Sequence, residues 1–287
     1  MSTRTYTEKE QHQAELALLL TTVIWGSTFI IIRNILGGVG PFTLLTLRFL
    51  IGFAALFVIF FNRMRRITFI DIRAGVLLGA LFFAGNALQT SGLQYTTASV
   101  SGFITALSVV MVPPIALFIL RQRPTRGAVI GVIVATVGLS LLSLNDNLTL
   151  GYGDLLTLGC AVVFALHIVL TAKYAVRTEP TVMVAVQLAL AAVLSFLFAV
   201  TTETIGPITN DVLMVALYLG LLPTAFCFVV QVYGQRRTSA ARTALIFTAE
   251  PVFAALFAFL VAGEMLGARG LVGCGFILGG VLVAELG

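Results

Sequence analysis

The chain has 287 residues, of which 59% are hydrophobic and 10% charged, with a mean hydropathy of +1.06. A water-soluble domain carries roughly 25% charged residues, so 17 basic and 12 acidic side chains cannot cover a solvated surface at this size, and a soluble globular fold is excluded. The net charge of +5 does not mark a nucleic-acid protein either, because the basic residues sit in short loops between apolar runs.

A polar tail, Met1 to Gln13, precedes the first apolar run. That run is too long for the h-region of a cleaved signal, and no A-x-A site follows it. Ten segments are each long and apolar enough for a span of about 20 residues: 14–36, 41–61, 72–92, 97–120, 126–144, 152–175, 180–201, 211–233, 241–262 and 268–286. The first carries Trp25 and Thr28, the tryptophan about 15 Å deep at 1.5 Å per residue. Tryptophan favours the interface, so at this depth it needs a partner or a wet cavity, as a stacking wall for a solute or as packing between helices. The second carries Arg48 about two turns in, placed to attract a carboxylate or to pair with nearby carbonyls and hold structure. In the third, Asn86 and Thr90 share a face by i,i+4 spacing with Gln89 beside them; Ser101, Thr105 and Ser108 form a similar stripe on the fourth. Such stripes line hydrated cavities or glue helices together.

Gly127 and Gly131 in the fifth span and Gly275 and Gly279 in the tenth form small-x-x-x-small pairs, which read as tight packing within the chain or as a dimer face. His167 is the single histidine outside the tail, a core residue or a site residue. Glu250 is the one acid well inside a span, followed by Pro251, and an intramembrane carboxylate is a functional candidate by default. The bland alternative is a carboxylate satisfied by backbone that Pro251 frees. Cys160, Cys227 and Cys274 all lie in apolar segments and read as buried packing residues. The sequon at Asn147 abuts a span and would go unused in a bacterium.

Lys and Arg set the orientation. One family of loops holds Arg4, Lys9, Arg63, Arg65, Arg66, Arg73, Arg121, Arg123, Arg126, Lys173, Arg177, Arg236, Arg237 and Arg242; the other holds only Arg33 and Arg269. This bias places both termini in the cytoplasm. The halves also resemble each other at a constant offset: Leu78-Gly79 with Leu219-Gly220, Gln94 with Gln235, Phe118 with Phe259, Gly138 with Gly279. Near the start the offset is two positions shorter, pairing Pro41 with Pro180 and Arg48 with Gln187. Two units follow, 14–144 and 152–286, each of five spans; the odd number inverts the second copy, so the fold class is an all-α membrane bundle of ten helices in two inverted repeats.

The run Trp25-Gly26-Ser27-Thr28-Phe29, Arg48 after Pro41, Glu250-Pro251-Val252-Phe253 followed by Gly263-Glu264, and the close glycines from Gly273 to Gly280 resemble the drug/metabolite transporter superfamily, and within it the ten-helix EamA-type exporters. The resemblance covers almost the whole chain and implies a central cavity lined by spans 1, 3, 4, 6, 8 and 9, with export of amino acids or related metabolites; the nearest likeness is to the YddG-type aromatic amino-acid exporters. One departure stands out. Glu264 in the second half faces Arg123 in the first, so a symmetric gating role for that acid does not carry over.

Several functions drop out. No phosphate-binding loop couples the chain to ATP. One span histidine and one midspan acid make neither a metal site nor a framed nucleophile, so no catalytic residue, metal or cofactor is expected. A sugar-phosphate carrier needs several midplane cations, and Arg48 is the one clear candidate. A small multidrug pump needs an acid in its first span, where Glu15 lies too near the cytoplasmic end. A channel would show a ring of charges. The expectation is an exporter of small metabolites in a bacterial inner membrane, working by alternating access as a monomer with lipid and solute as its partners. Substrate-binding candidates are Trp25, Thr28, Asn86, Thr90, Ser101, Thr105, Ser108, His167 and Glu250; structural or gating candidates are Arg48, Gln187, Pro251 and Glu264. A broad-specificity efflux carrier or a channel-like facilitator is the alternative.

Overall fold

The structure is a computed structural model, which describes residues 7–96, 98–143, 151–262 and 267–286. Among these every regular element is a helix. The sequon at Asn147 and the candidate Glu264 lie outside the described residues.

Helix α1 runs Glu8–Ile35, starting before the point where hydropathy places it, because Thr7 and Glu10 form a capping box that begins the helix in the polar tail. Helix α2 (Pro41–Ile59) opens with proline in its first turn, where the missing N–H costs nothing, and the short turn α3 (Phe61–Met64) follows it. Helix α4 (Phe69–Gly92) also starts early, on a capping box of Thr68 and Asp71. Helices α5 (Ala98–Ala106) and α6 (Ser108–Leu120) are one rod broken at Leu107, and α7 (Arg126–Ser143) closes the first half.

The second half runs α8 (Tyr152–Ala175), α9 (Pro180–Thr202) and α10 (Asn210–Leu219), continues through a seven-residue π-helical stretch, Gly220–Phe226, into α11 (Cys227–Gln235), and ends with α12 (Ala240–Phe247), α13 (Glu250–Ala262) and α14 (Ala268–Leu286). Among the described residues, seven helices or helix runs are long and apolar enough to cross a membrane, and three shorter apolar helices accompany them. Proline explains the interruptions. Pro223 cannot donate to Leu219 O, and the backbone widens into the π stretch. Pro251 cannot donate to Phe247 O; tight turns flank it, Thr248 N to Leu245 O at 3.0 Å and Ala249 N to Ile246 O at 3.1 Å. The breaks at Leu107 and at Thr248 fall at equivalent positions of the sequence repeat.

Polarity is inverted relative to a soluble protein. Phe69, Phe118 and Val58 are 79%, 83% and 74% exposed, whereas Glu15, Arg48, Asp71, Asn86, His167, Gln187 and Gln231 are buried. That distribution suits an apolar solvent. The two halves make matching close contacts. A Cβ on Gly79 would lie 2.9 Å from Gln187 O, and one on Gly220 would lie 2.7 Å from Arg48 O. A Cβ on Gly138 would meet Gly273 O at 2.6 Å and one on Gly280 would meet Gly131 O at 2.7 Å, so α7 and α14 cross backbone to backbone. This corrects the sequence reading by one position: a Cβ on Gly275 or Gly279 would meet nothing within 4 Å, because at this crossing the repeat offset is one longer and Gly280, not Gly279, answers Gly138.

The loops gather at two ends. Arg63 pairs with Glu179 at 2.6 Å, and Arg236 donates to Thr178 O at 2.7 Å, so loops 60–68, 176–179 and 236–239 share one end. At the other, Glu203 accepts from the Phe42 and Thr43 N–H groups at 2.6 and 2.9 Å, and Thr96 Oγ1 donates to Asp154 at 2.7 Å. All but the Arg236–Thr178 contact join the two halves.

Candidate functional site

At the bundle's centre lies a cavity of about 80 Å³ between α1, α2, α4, α5, α6, α8, α11, α12 and α13. Its wall contains Trp25, Thr28, Arg48, Asn86, Thr105, Ser108, His167 and Glu250 among the residues expected from sequence. It also contains Gln89, Gln231, Phe164, Phe228 and Phe247, which sequence reading missed or left at the margin. Thr90 and Ser101 are not in the wall; both are buried in helix packing, with hydroxyls that have no hydrogen-bond partner among the described residues. Their helical faces had the right phase, but Gln89 reaches further than Thr90 and donates to Thr105 Oγ1 at 3.1 Å. Gln187 and Pro251 are buried behind the wall.

The elements position the wall for identifiable reasons. The indole of Trp25 donates from Nε1 to Pro223 O at 2.7 Å, a carbonyl presented by the π stretch. Its ring lies 5.1 Å from Phe228 and 5.0 Å from Phe247, the second edge to face. The close approach of α1 to α13 depends on Gly26, where a Cβ would lie 2.7 Å from that of Phe253. Arg48 donates from Nε to Thr224 Oγ1 at 2.5 Å, again in the π stretch, and its Cζ lies 5.7 Å from the Phe49 ring centroid. Its terminal nitrogens have no hydrogen-bond partner among the described residues. His167 Nε2 donates to Gln187 Oε1 at 3.3 Å, and its ring lies 6.0 Å from Phe228. Gln231 donates to Gln235 Oε1 at 3.3 Å, and Gln235 to Ile168 O at 3.0 Å.

Glu250 stands in the first turn of α13, beside the break that Pro251 imposes. It forms no hydrogen bond or ion pair with any described residue. Arg48 and Glu250 therefore line one chamber without pairing with each other, while the aromatic rings form one side of it. Cys160 and Cys227 are free and buried, as packing residues are.

The comparisons with known proteins agree with this architecture. A profile of the EamA-like transporter family matches residues 12–144 and 151–286. The chain is 34% identical over 273 residues to an uncharacterized transporter of Archaeoglobus fulgidus, an alignment covering 95% of this chain and 86% of that one. It is 24% identical over 279 residues to YoaV, an uncharacterized transporter of Bacillus subtilis, covering 93% and 95% of the two chains. A solved crystal structure superposes with a TM-score of 0.81 at 21% identity, covering 96% of this chain and 97% of the other, a likeness of fold. The chain belongs to the EamA-like transporter family of the drug/metabolite transporter superfamily.

Proposed function

We propose that this membrane transporter exports amino acids, aromatic ones among them, from the cytoplasm of a bacterium by alternating access. In this reading ten spans form two inverted five-helix repeats, 14–144 and 152–286, both termini are cytoplasmic, and a monomer carries the whole pathway. The supporting observation is an acid and a base in one aromatic-walled chamber, Glu250 and Arg48 with Trp25, Phe228 and Phe247, neither of which forms an ion pair with any described residue. A charged side chain at mid-membrane costs roughly 2.5–3.5 kcal/mol or more. A zwitterion with its ammonium toward Glu250 and its carboxylate toward Arg48 offsets both costs at once and adds charge-assisted hydrogen bonds. Amide groups of Asn86, Gln89 and Gln231 complete a polar wall that suits a neutral overall charge.

The chamber is small. An engineered cavity of about 150 Å³ takes up a benzene ring, so at about 80 Å³ this conformation is small for an aromatic side chain and has to widen to take one. That fits a carrier that opens toward one side at a time.

The test is counterflow in proteoliposomes with a panel of radiolabelled amino acids, their N-acetyl derivatives and neutral metabolites. Free amino acids should be carried, and acetylation, which removes the ammonium, should reduce the rate at least about tenfold. Equal rates for acetylated and free forms would remove the zwitterion from the reading. A preference for bulky cations with no amino-acid flux would favour broad-specificity efflux instead.

A further inference from the structure

Each end of the bundle carries the same small construction, and each joins the two halves of the chain or two helices that bound the cavity. At one end Thr238 Oγ1 donates to Glu15 Oε1 at 3.0 Å, tying the turn after α11 to the first third of α1. At the other, Thr96 Oγ1 donates to Asp154 Oδ1 at 2.7 Å, tying the turn after α4 to the start of α8. Asp154 occupies in the second half the repeat position that Glu15 holds in the first, at the same offset that pairs Pro41 with Pro180. Each threonine stands one helical turn beyond a glycine, Gly92 or Gly234. Those glycines make equivalent crossings as well: a Cβ on Gly92 would lie 2.8 Å from Thr157 Oγ1, and one on Gly234 would lie 2.7 Å from Leu18 Cγ. Thr157 and Leu18 each follow the acid at i+3. Acid, glycine crossing and threonine thus recur as a unit, once at each end of the central cavity.

We infer that these paired contacts are latches that hold the two mouths of the cavity, Thr238–Glu15 on the face bearing the arginine-rich loops and Thr96–Asp154 on the other, so that breaking one opens its own mouth. The inference rests on the alternating-access reading above. Both latches are made in this structure, where the cavity is small. They are not identical. Glu15 also accepts from Arg242 Nη1 at 3.3 Å, while the Asp154 end carries the edge-to-face pair Tyr95 and Tyr152, 5.4 Å apart. In a carrier with two near-degenerate states, a contact present in the closed form of one mouth sets how often that mouth opens. Losing one net hydrogen bond shifts such a balance about fivefold.

Threonine is the side to vary, because Asp154 also accepts from Gly151 N and caps its own helix. Valine keeps threonine's shape without the hydroxyl, and serine restores the hydroxyl. The reporter is Ser108→Cys in the cavity wall, in a background with Cys160, Cys227 and Cys274 replaced by alanine. A membrane-impermeant maleimide is applied to right-side-out and inside-out vesicles. Thr96→Val should raise labelling from the Asp154 face about fivefold and lower it from the other, Thr238→Val should do the reverse, and Thr96→Ser and Thr238→Ser should stay at the parent level. Labelling unmoved by both valine variants, or moved to the same face by both, overturns the latches alone while leaving the carrier reading intact. A parent reporter that no reagent reaches from either face means that the cavity is not on a route across the membrane, and it overturns both.

Discussion

Trp25 shows how one side chain joins two tasks. Its ring forms the apolar wall beside Phe228 and Phe247, and its N–H satisfies Pro223 O, which the π stretch leaves without an ordinary helical partner. Trp25→Phe keeps the stacking and strands that carbonyl, so it should cost roughly 1–3 kcal/mol, measured as a fall in the unfolding temperature of the detergent-solubilised protein, with transport reduced alongside. Arg48 and Glu250 separate differently. Glu250→Gln should lower the flux of a free amino acid at least about tenfold, yet narrow the gap between that substrate and its N-acetyl form. Arg48→Gln should lower flux and narrow instead the gap between the free acid and its methyl ester. The paired assays read charge complementarity, which a general loss of packing would not reproduce.

At the scale of the element, proline decides where the halves differ. Phe82 in α4 holds the repeat position that Pro223 takes in the second half. In the first half its ring packs on Phe228 at 4.4 Å and Phe49 at 5.0 Å within a continuous helix. In the second half proline opens the backbone, and the freed carbonyl and the neighbouring Thr224 hydroxyl receive Trp25 and Arg48. The duplication therefore supplies a symmetric frame, and this proline, with Arg48 standing opposite Gln187 in the repeat, makes its centre asymmetric. Glycines set how closely these elements approach. Gly26→Leu puts a branched side chain where even a Cβ meets the α13 backbone at 2.8 Å, and should abolish the monodisperse folded species on size-exclusion chromatography. Gly275→Ala, with nothing within 4 Å, should leave elution unchanged and raise stability by up to about 1 kcal/mol, because alanine is the better helix former.

For the whole molecule, the loops at one end share contacts: Arg63 with Glu179 and Glu15 with Arg242 across the halves, and Arg236 with Thr178 beside them. Single cysteines placed at positions 65 and 237 should then label from the same side of the membrane, and a cysteine at position 205 from the opposite side. Labelling of 65 and 237 from different faces would break the inverted arrangement and with it the carrier mechanism. The Arg63–Glu179 pair itself is exposed, 56% and 39% for the two side chains, and serves here as a marker of proximity rather than a source of stability.

Composition and the lengths of the apolar runs by themselves marked a membrane bundle, because the bilayer imposes its constraint on every residue of a span and leaves a signal that sums along the chain, and the residue matches at a fixed offset marked two related halves. The sequence also picked out Trp25, Arg48, His167 and Glu250, since polar or amphipathic groups in apolar runs are conspicuous. Tertiary structure decided the rest. Thr90 and Gln89 look equally eligible on a helical wheel, and only the neighbouring helices determine which one reaches the cavity. The partners of Trp25 and Arg48 lie 198 and 176 residues away, in a π stretch whose freed carbonyl no local pattern reveals. Glu15 lies too near the end of its span for the acid of a multidrug pump, and only the fold brings Thr238, 223 residues on, beside it. Local signals record what a segment must bury; which groups meet is settled by how the helices cross.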